Sequence, residues 1–231
     1  MANILLIASA TKVCSVAIAE NGVVACIKEA VREEYSHAEL LTVYVEELLN
    51  GPWKGKSIDA IAVMDGPGSY TGLRIGTSAA KGLCFAKEIP LIAIGSLFTW
   101  AIGLKNELAE QLGPNELIIP MMDARRMEVY HAVYDVDLKE VKAAAALVVD
   151  EDSAKELIAG RQVHLVGDGV SKCADIFSNI EGVVLHDLEL SSAFMAAEAD
   201  RRFNAGKLED LAYFEPYYLK EFVAGKPKKL L

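Results

Sequence analysis

The sequence predicts an α/β chain in which sheets of mixed direction are covered by helices, and three observations carry that prediction. Three strand-like apolar runs stand near the start, two of them joined by Asn21-Gly22, a pair whose tolerance of positive φ makes it a strong hairpin signal. Behind them helical and strand-like periodicities alternate, the pattern of sheets that need helices on their faces. Between one strand and a long helical run lies a glycine-rich turn, Asp65-Gly66-Pro67-Gly68-Ser69-Tyr70-Thr71-Gly72-Leu73-Arg74-Ile75-Gly76. With 231 residues, 52% of them hydrophobic, the chain has enough apolar side chain for one large domain or two modest ones. The break at Gly113-Pro114-Asn115 divides an expected N-terminal lobe, 1–112, from a C-terminal lobe, 113–231.

The elements follow in order. Ile4-Leu5-Leu6-Ile7 reads as the first strand, residues 13–19 as the second after a turn at Ala10-Thr11-Lys12, and 23–27 as the third. Ser36-His37-Ala38-Glu39 has the spacing of a capping box. It starts a helix over 37–50 that Gly51-Pro52 stops. On that helix Leu40, Leu41, Val43, Tyr44, Val45, Leu48 and Leu49 cover more of the circumference than one packed face needs, so two neighbours are expected. Residues 58–64 form a buried strand, and Thr71, after the glycine turn, is placed to cap a helix running to Lys87. Gly72, Gly76, Ala79 and Leu83 share a face of this helix, flanked by Ile75, Gly82 and Ala86. An interior glycine costs about 1 kcal/mol relative to alanine, so this face implies close approach, either to the chain's own sheet or to another subunit. These two helices are therefore the candidate partner surface, with His37, Leu40, Leu41, Tyr44, Leu48, Gly72, Ile75, Gly76, Ala79 and Leu83 as its residues. A strand at 91–94 and a helix from Ser96 to Leu112 complete a β-β-β-α-β-α-β-α first half.

The second half loosely repeats the first without a detectable sequence repeat. Residues 117–122 read as a strand that passes through Asp123-Ala124-Arg125-Arg126 into an alternating strand at 128–134, whose pattern implies one wetter face. A helix at 152–159, a strand at 163–166, the turn Gly167-Asp168-Gly169 leading into a further helix, and a helix at 191–204 follow. Lys226-Pro227-Lys228-Lys229 gives a basic tail expected to be mobile.

The totals exclude several classes of function. A formal charge of −10 argues against this chain alone gripping a nucleic-acid backbone. Cys14, Cys26, Cys84 and Cys173 show no paired metal-ligand spacing and read as reduced thiols. No apolar run reaches the ~18 residues needed to span a membrane, and the start lacks a basic leader, so a cytoplasmic location with no membrane partner is expected. His37, His131, His164 and His186 are scattered, which predicts structural histidines and no metal site. Ser69 is not in a nucleophile elbow, and no catalytic residue is expected.

Three segments remain as candidates for binding. The strand–loop–helix geometry at Gly66, Pro67, Gly68, Ser69, Tyr70, Thr71, Gly72 and Arg74 points amides and a positive helix end into the loop, which suits an anion or a close-packed partner segment. Its spacing matches neither the phosphate loop nor the dinucleotide fingerprint. Asp123 beside Arg125 and Arg126 is either an acid next to an anion clamp or a loop staple. Gly167, Asp168 and Gly169 form a possible nucleotide contact through their backbone, although two glycines do not carry that claim alone.

Taken together, the glycine turn from Gly66 to Gly76, the opening strands with Ala10-Thr11-Lys12, and Ser36-His37-Ala38-Glu39-Leu40-Leu41 resemble the TsaB (YeaZ) family. Met122-Asp123-Ala124-Arg125-Arg126-Met127-Glu128-Val129-Tyr130, Val166-Gly167-Asp168-Gly169 and Pro216-Tyr217-Tyr218-Leu219 extend the similarity over nearly the whole chain. The resemblance implies an actin-like ATPase fold of the sugar kinase/Hsp70/actin type, with two ribonuclease-H-like lobes. It implies a dimerisation subunit for the catalytic TsaD-type paralogue, contacted through the first two helices, in forming threonylcarbamoyladenosine beside the anticodon of tRNAs that read A-starting codons. It further implies a TsaE-type ATPase as a partner, tRNA contacted through the complex, and ATP and magnesium used by the complex but not bound by this chain alone. For the chain by itself the sequence leaves both a homodimer and a monomer open. Where the family usually has an acidic residue and a threonine after the first strand, this chain has Ala8-Ser9, which weighs against autonomous ATP hydrolysis. The alternatives are an independent ATP-dependent phosphotransferase on the same fold and a degenerate glycoprotease-like metalloenzyme.

Overall fold

The computed structural model describes residues 2–31 and 37–220. Ser36 of the expected capping box and the tail lysines Lys226, Lys228 and Lys229 lie outside the described residues. The chain opens with β1 (Asn3–Ala8), β2 (Val13–Glu20) and β3 (Val23–Val31), antiparallel in sequence order. The β2–β3 turn is Asn21-Gly22, both at positive φ, as the hairpin signal requires. Then come α1 (His37–Asn50), β4 (Ala60–Met64), α2 (Tyr70–Lys87), β5 (Leu91–Ile94) and α3 (Ser96–Leu108). β4 joins β1 in parallel and β5 joins β4, so the first sheet runs β3-β2-β1-β4-β5.

The second half contains β6 (Leu117–Asp123), β7 (Glu128–Asp135), β8 (Glu140–Val148), α4 (Glu151–Ile158), β9 (Val163–Val166), α5 (Ala174–Phe177), β10 (Val183–His186) and α6 (Ala196–Asn204). Its sheet runs β10-β9-β6-β7-β8, the first sheet's order read from the other edge. The duplication that the sequence only hinted at is thus complete in topology, as two ribonuclease-H-like units require. β8 and β10 are absent from the sequence reading. β8 carries four consecutive alanines, which favour helix by local propensity; pairing with β7 overrides that preference.

Three apolar layers hold the molecule together. Outside the first sheet, α1 and α2 bury Leu41, Leu48 and Ala80 against Ile7, Val16 and Ile61. Outside the second, Ile158 and Phe177 cover Ile119, Val129 and Leu165. Between the sheets a shared core joins Leu6, Met64, Trp100, Ile118, Val166 and Met195. A cut at 112/113 separates the sheets but not this packing. α3 lies on β6 and β7 of the second sheet, while α6 lies on β5, β1 and β3 of the first. The segment after α6 also returns to the first sheet, through a bridge between Glu209 and Leu91 and a hydrogen bond from Tyr217 N to Asp65 O, 2.7 Å.

Three helix boundaries differ from expectation. Ser69, not Thr71, caps α2, its hydroxyl accepting from Gly72 N, because the helix begins two residues earlier, at Tyr70. Gly95, not Ser96, caps α3, which ends at Leu108 in a short 3-10 turn. The 191–204 helix opens as a 3-10 turn, Ser192–Met195, before α6.

Candidate functional site

The glycine turn closes onto its own chain. A Cβ at Gly66 would lie 2.4 Å from Tyr217 O, and one at Gly68 would lie 2.7 Å from Ala10 O. The backbone of the turn is engaged in the same way: Ser69 N donates to Ala10 O, and Gly66 O accepts from Ser96 N at the start of α3. The structure packs the turn against three segments of its own chain: the β1–β2 turn, the start of α3 and the return at Tyr217. Pro67 is buried and Thr71 exposed. Arg74 stacks over the Tyr70 ring at 4.2 Å and donates to the Tyr218 hydroxyl, 3.2 Å. The glycine turn and the Pro216-Tyr217-Tyr218-Leu219 segment, remote in sequence, therefore form one unit.

The small-residue face of α2 divides. A Cβ at Gly72 would lie 2.1 Å from Ser9 O and one at Gly76 would lie 2.2 Å from Ser9 Oγ, so both glycines serve the chain's own β1. Ser9 Oγ donates to Gly72 O across that contact, 2.8 Å. Leu41 and Leu48 are likewise buried in the outer core. His37 is buried with Nε2 2.7 Å from Thr11 O, and burial holds its pKa below the usual histidine value against that hydrogen bond. These five candidate interface residues are internal because the first sheet claims the inner side of both helices. Leu40, Tyr44, Ile75, Ala79 and Leu83 are half-buried on the same layer. On the same two helices Val43 is 43% and Phe85 79% exposed, residues that the sequence reading left out of the surface.

At the carboxyl ends of β6 and β9 the second turn meets Asp123. Gly169 N donates to Met121 O and Asp123 N to Asp168 Oδ1, 2.8 Å. Gly167 has φ +113, and a Cβ there would lie 2.5 Å from Met121 O. Asp123 Oδ1 accepts from Arg125 N, 2.8 Å, and pairs with Lys172. Asp123 is thus a loop staple, while Arg125 and Arg126 stand exposed at positive φ.

Two clusters escaped sequence reasoning. His164, expected to stand apart from His186, has Nδ1 2.9 Å from His186 Nε2 and Nε2 2.8 Å from Glu116 Oε2. The hydrogen bond from His164 holds the Glu116 carboxyl below its ordinary range. Neighbouring strands β9 and β10 create this cluster, which spacing along the chain cannot show. The second cluster lines a cavity of about 370 Å³ between the sheets, where Asp65 faces Arg202. There Glu198 is bonded by both Arg201 and Arg202; burial pushes its carboxyl up, but the two guanidiniums bring it below the usual glutamate value. Among the described residues no three His, Cys, Asp or Glu side chains are grouped to hold a metal ion. No helix among them is long and apolar enough to cross a membrane.

Comparison with known proteins places the chain among relatives of similar length. A family model described as TsaD, tRNA N6-adenosine threonylcarbamoyltransferase, matches residues 30–213. The tRNA threonylcarbamoyladenosine biosynthesis protein TsaB of Escherichia coli K12 is 32% identical over 233 residues, covering 96% of each chain. A solved YeaZ structure from Pseudomonas aeruginosa superposes with a TM-score of 0.74 at 25% identity, over 95% of this chain and 100% of that one. The proposed N-acetylmannosamine kinase Lmo2764 of Listeria monocytogenes shares the fold alone, with a TM-score of 0.53 at 10% identity over 89% and 99% of the two chains. The fold is thus that of the YeaZ structure, and it is shared at lower similarity by the kinase-like chain.

Proposed function

The chain belongs to the TsaB (YeaZ) family, and from that premise we propose that it is a non-catalytic cytoplasmic subunit in threonylcarbamoyladenosine biosynthesis, binding and activating a TsaD-type transferase. The observation that carries the reading is the outer surface of α1 and α2. Leu40, Tyr44, Ile75, Ala79 and Leu83 are half-buried there, and Phe85 stands out at 79% exposure. Covering such a ring with a partner contributes about 1–2 kcal/mol, the kind of gain an interface anchor supplies. The net charge of −10 fits a subunit that leaves the tRNA backbone to its partner. In this reading ATP and magnesium are used by the assembled complex, a TsaE-type ATPase joins it, and the isolated chain pairs with itself through the same face.

The test is tRNA threonylcarbamoylation by the cognate proteins with and without this chain, and with its Phe85→Glu variant. Product should require the chain. Phe85→Glu, at a position with no core contact to lose, should keep the melting temperature and reduce complex affinity at least about 10-fold, as for an anchor residue. Unchanged product on omission refutes the activating role. A second reading, an ATP-dependent phosphotransferase, is favoured by Asp123, Asp168 and Lys172 meeting at the carboxyl ends of parallel strands. It predicts saturable ATP binding by the chain alone.

A further inference from the structure

β10 is a short edge strand that pairs with β9, and two imidazole rings join the pair. His164 on β9 is 8% exposed, and His186 on β10 is half-buried. His164 Nδ1 lies 2.9 Å from His186 Nε2, with ring centres 5.2 Å apart and planes tilted by 30°. On its other side His164 Nε2 is 2.8 Å from Glu116 Oε2. An ionised carboxylate only accepts, so His164 Nε2 carries a proton. In a neutral His164 ring Nδ1 is then the acceptor, and His186 Nε2 donates to it. The charged groups that act on the pair are Glu116, just before β6, and Glu107 on α3.

This arrangement accepts one added proton and no more. The added proton goes to His186 Nδ1 while the shared one crosses to His164 Nδ1, and the positive charge then lies on His164 against Glu116. A further proton has no place. His164 Nδ1 and His186 Nε2 would both carry hydrogen and point it at each other across 2.9 Å, with a cation on each ring. Burial and the neighbouring His164 accordingly hold His186 below the usual histidine value, against the pull of Glu107. A ring that binds its proton less tightly when folded costs stability as the pH falls below about 6.5.

His186 leads directly into the segment that crosses from the second sheet to the first. Leu188 O accepts from Trp100 Nε1, 2.8 Å, in the shared core. Beyond it Ser191 Oγ donates to Glu29 and Ser192 N to Ser15 Oγ, both on the first sheet. An edge strand of four residues is the element that yields most cheaply when its contacts are strained. We propose that His164 and His186 form an acid-sensitive clasp: one proton between the rings holds β10 on β9, and a second forces the rings apart and frees Leu188 from Trp100. The device regulates how firmly the two halves are joined, and it is independent of any partner or substrate.

The two tryptophans of the full chain supply the readout, as indole N–H resonances of 15N-labelled protein. Trp53 Nε1 donates to Ser57 O, 3.1 Å, and packs in the outer core, so it controls for global unfolding. From pH ~8 to ~5.5 the Trp100 resonance should shift progressively once the pH passes below ~6.5, the ordinary histidine value, while that of Trp53 stays in place. Burial also holds His37 and His131 below that value, so variants assign the shift. His186→Gln still offers a donor to His164 Nδ1 but takes up no proton, and it should abolish the Trp100 shift. Glu116→Gln removes the charge that balances the added proton and should move the onset to higher pH. A melt of each variant at neutral pH separates a lost clasp from a lost fold, and Glu116→Gln decides alone where His186→Gln does not fold. A Trp100 resonance fixed throughout, Trp53 moving with it, a shift retained in folded His186→Gln, or an onset unmoved or lowered in Glu116→Gln overturns the proposal.

Discussion

Asp65 shows how much a single position can conceal. Its carboxyl is raised to about 6 by burial, partly offset by Arg202, against roughly 3.9 in an unfolded chain. The folded state therefore holds this proton more tightly. As pH rises from about 4 to about 6 the unfolded chain loses its proton first, and stability falls; below that window the penalty is absent, and above it the penalty is complete. A gap of about two units is on the order of 3 kcal/mol at most. Asp65→Asn should accordingly stabilise the protein by about 1–3 kcal/mol at pH ~8 and by almost nothing at pH ~4, read from urea unfolding at both. Equal stability of variant and parent at the higher pH would show that Oδ1 already has a donor. Nothing in the sequence marks this residue apart from its place before a glycine turn. Its burial depends on Tyr217 and α6, more than 130 residues away.

At the scale of elements, α2 passes the end of β1 so closely that neither Gly72 nor Gly76 has room for a side chain against Ser9. Gly76→Ala would drive a Cβ to within 2.2 Å of Ser9 Oγ, an overpacking that typically costs about 1–3 kcal/mol. In a Ser9→Ala background the offending oxygen is gone, so the same substitution should cost about 1 kcal/mol less. A double-mutant cycle in urea measures the difference, and equal costs would mean that α2 shifts instead. Three glycines in α2 announced a close approach, and two of them did mark one. Which neighbour they approached was not legible, because a smooth helix face fits a sheet or a second subunit equally well. The Asn21-Gly22 hairpin was legible since its turn geometry is local, whereas β8 was not, its alanines acquiring strand structure only beside β7.

For the whole molecule, the decisive feature is that α3 and α6 each pack on the other half's sheet. Neither half can bury its apolar faces alone: α3 without the second sheet would expose Leu97, Trp100, Ala101 and Leu104. The protein should therefore unfold as one unit. Trp53 reports on the outer core and Trp100 on the shared core, so fluorescence of single-tryptophan variants and far-ultraviolet circular dichroism should give coincident urea transitions. Separated transitions would mean that the lobes are independently stable.

By itself the sequence determined the fold class, most strands and helices, the glycine turn and the family, because each rests on periodicity, turn chemistry or a continuous motif. It placed the outer helices as a surface but could not divide their residues between core and solvent. Only the tertiary structure decided that Gly72 and Gly76 face Ser9, that His164 meets His186 and Glu116, and that Asp65, Gly95 and the start of α3 enclose one cavity. These groupings join residues from different strands and from both halves of the chain, and long-range packing has no local periodicity from which to read it.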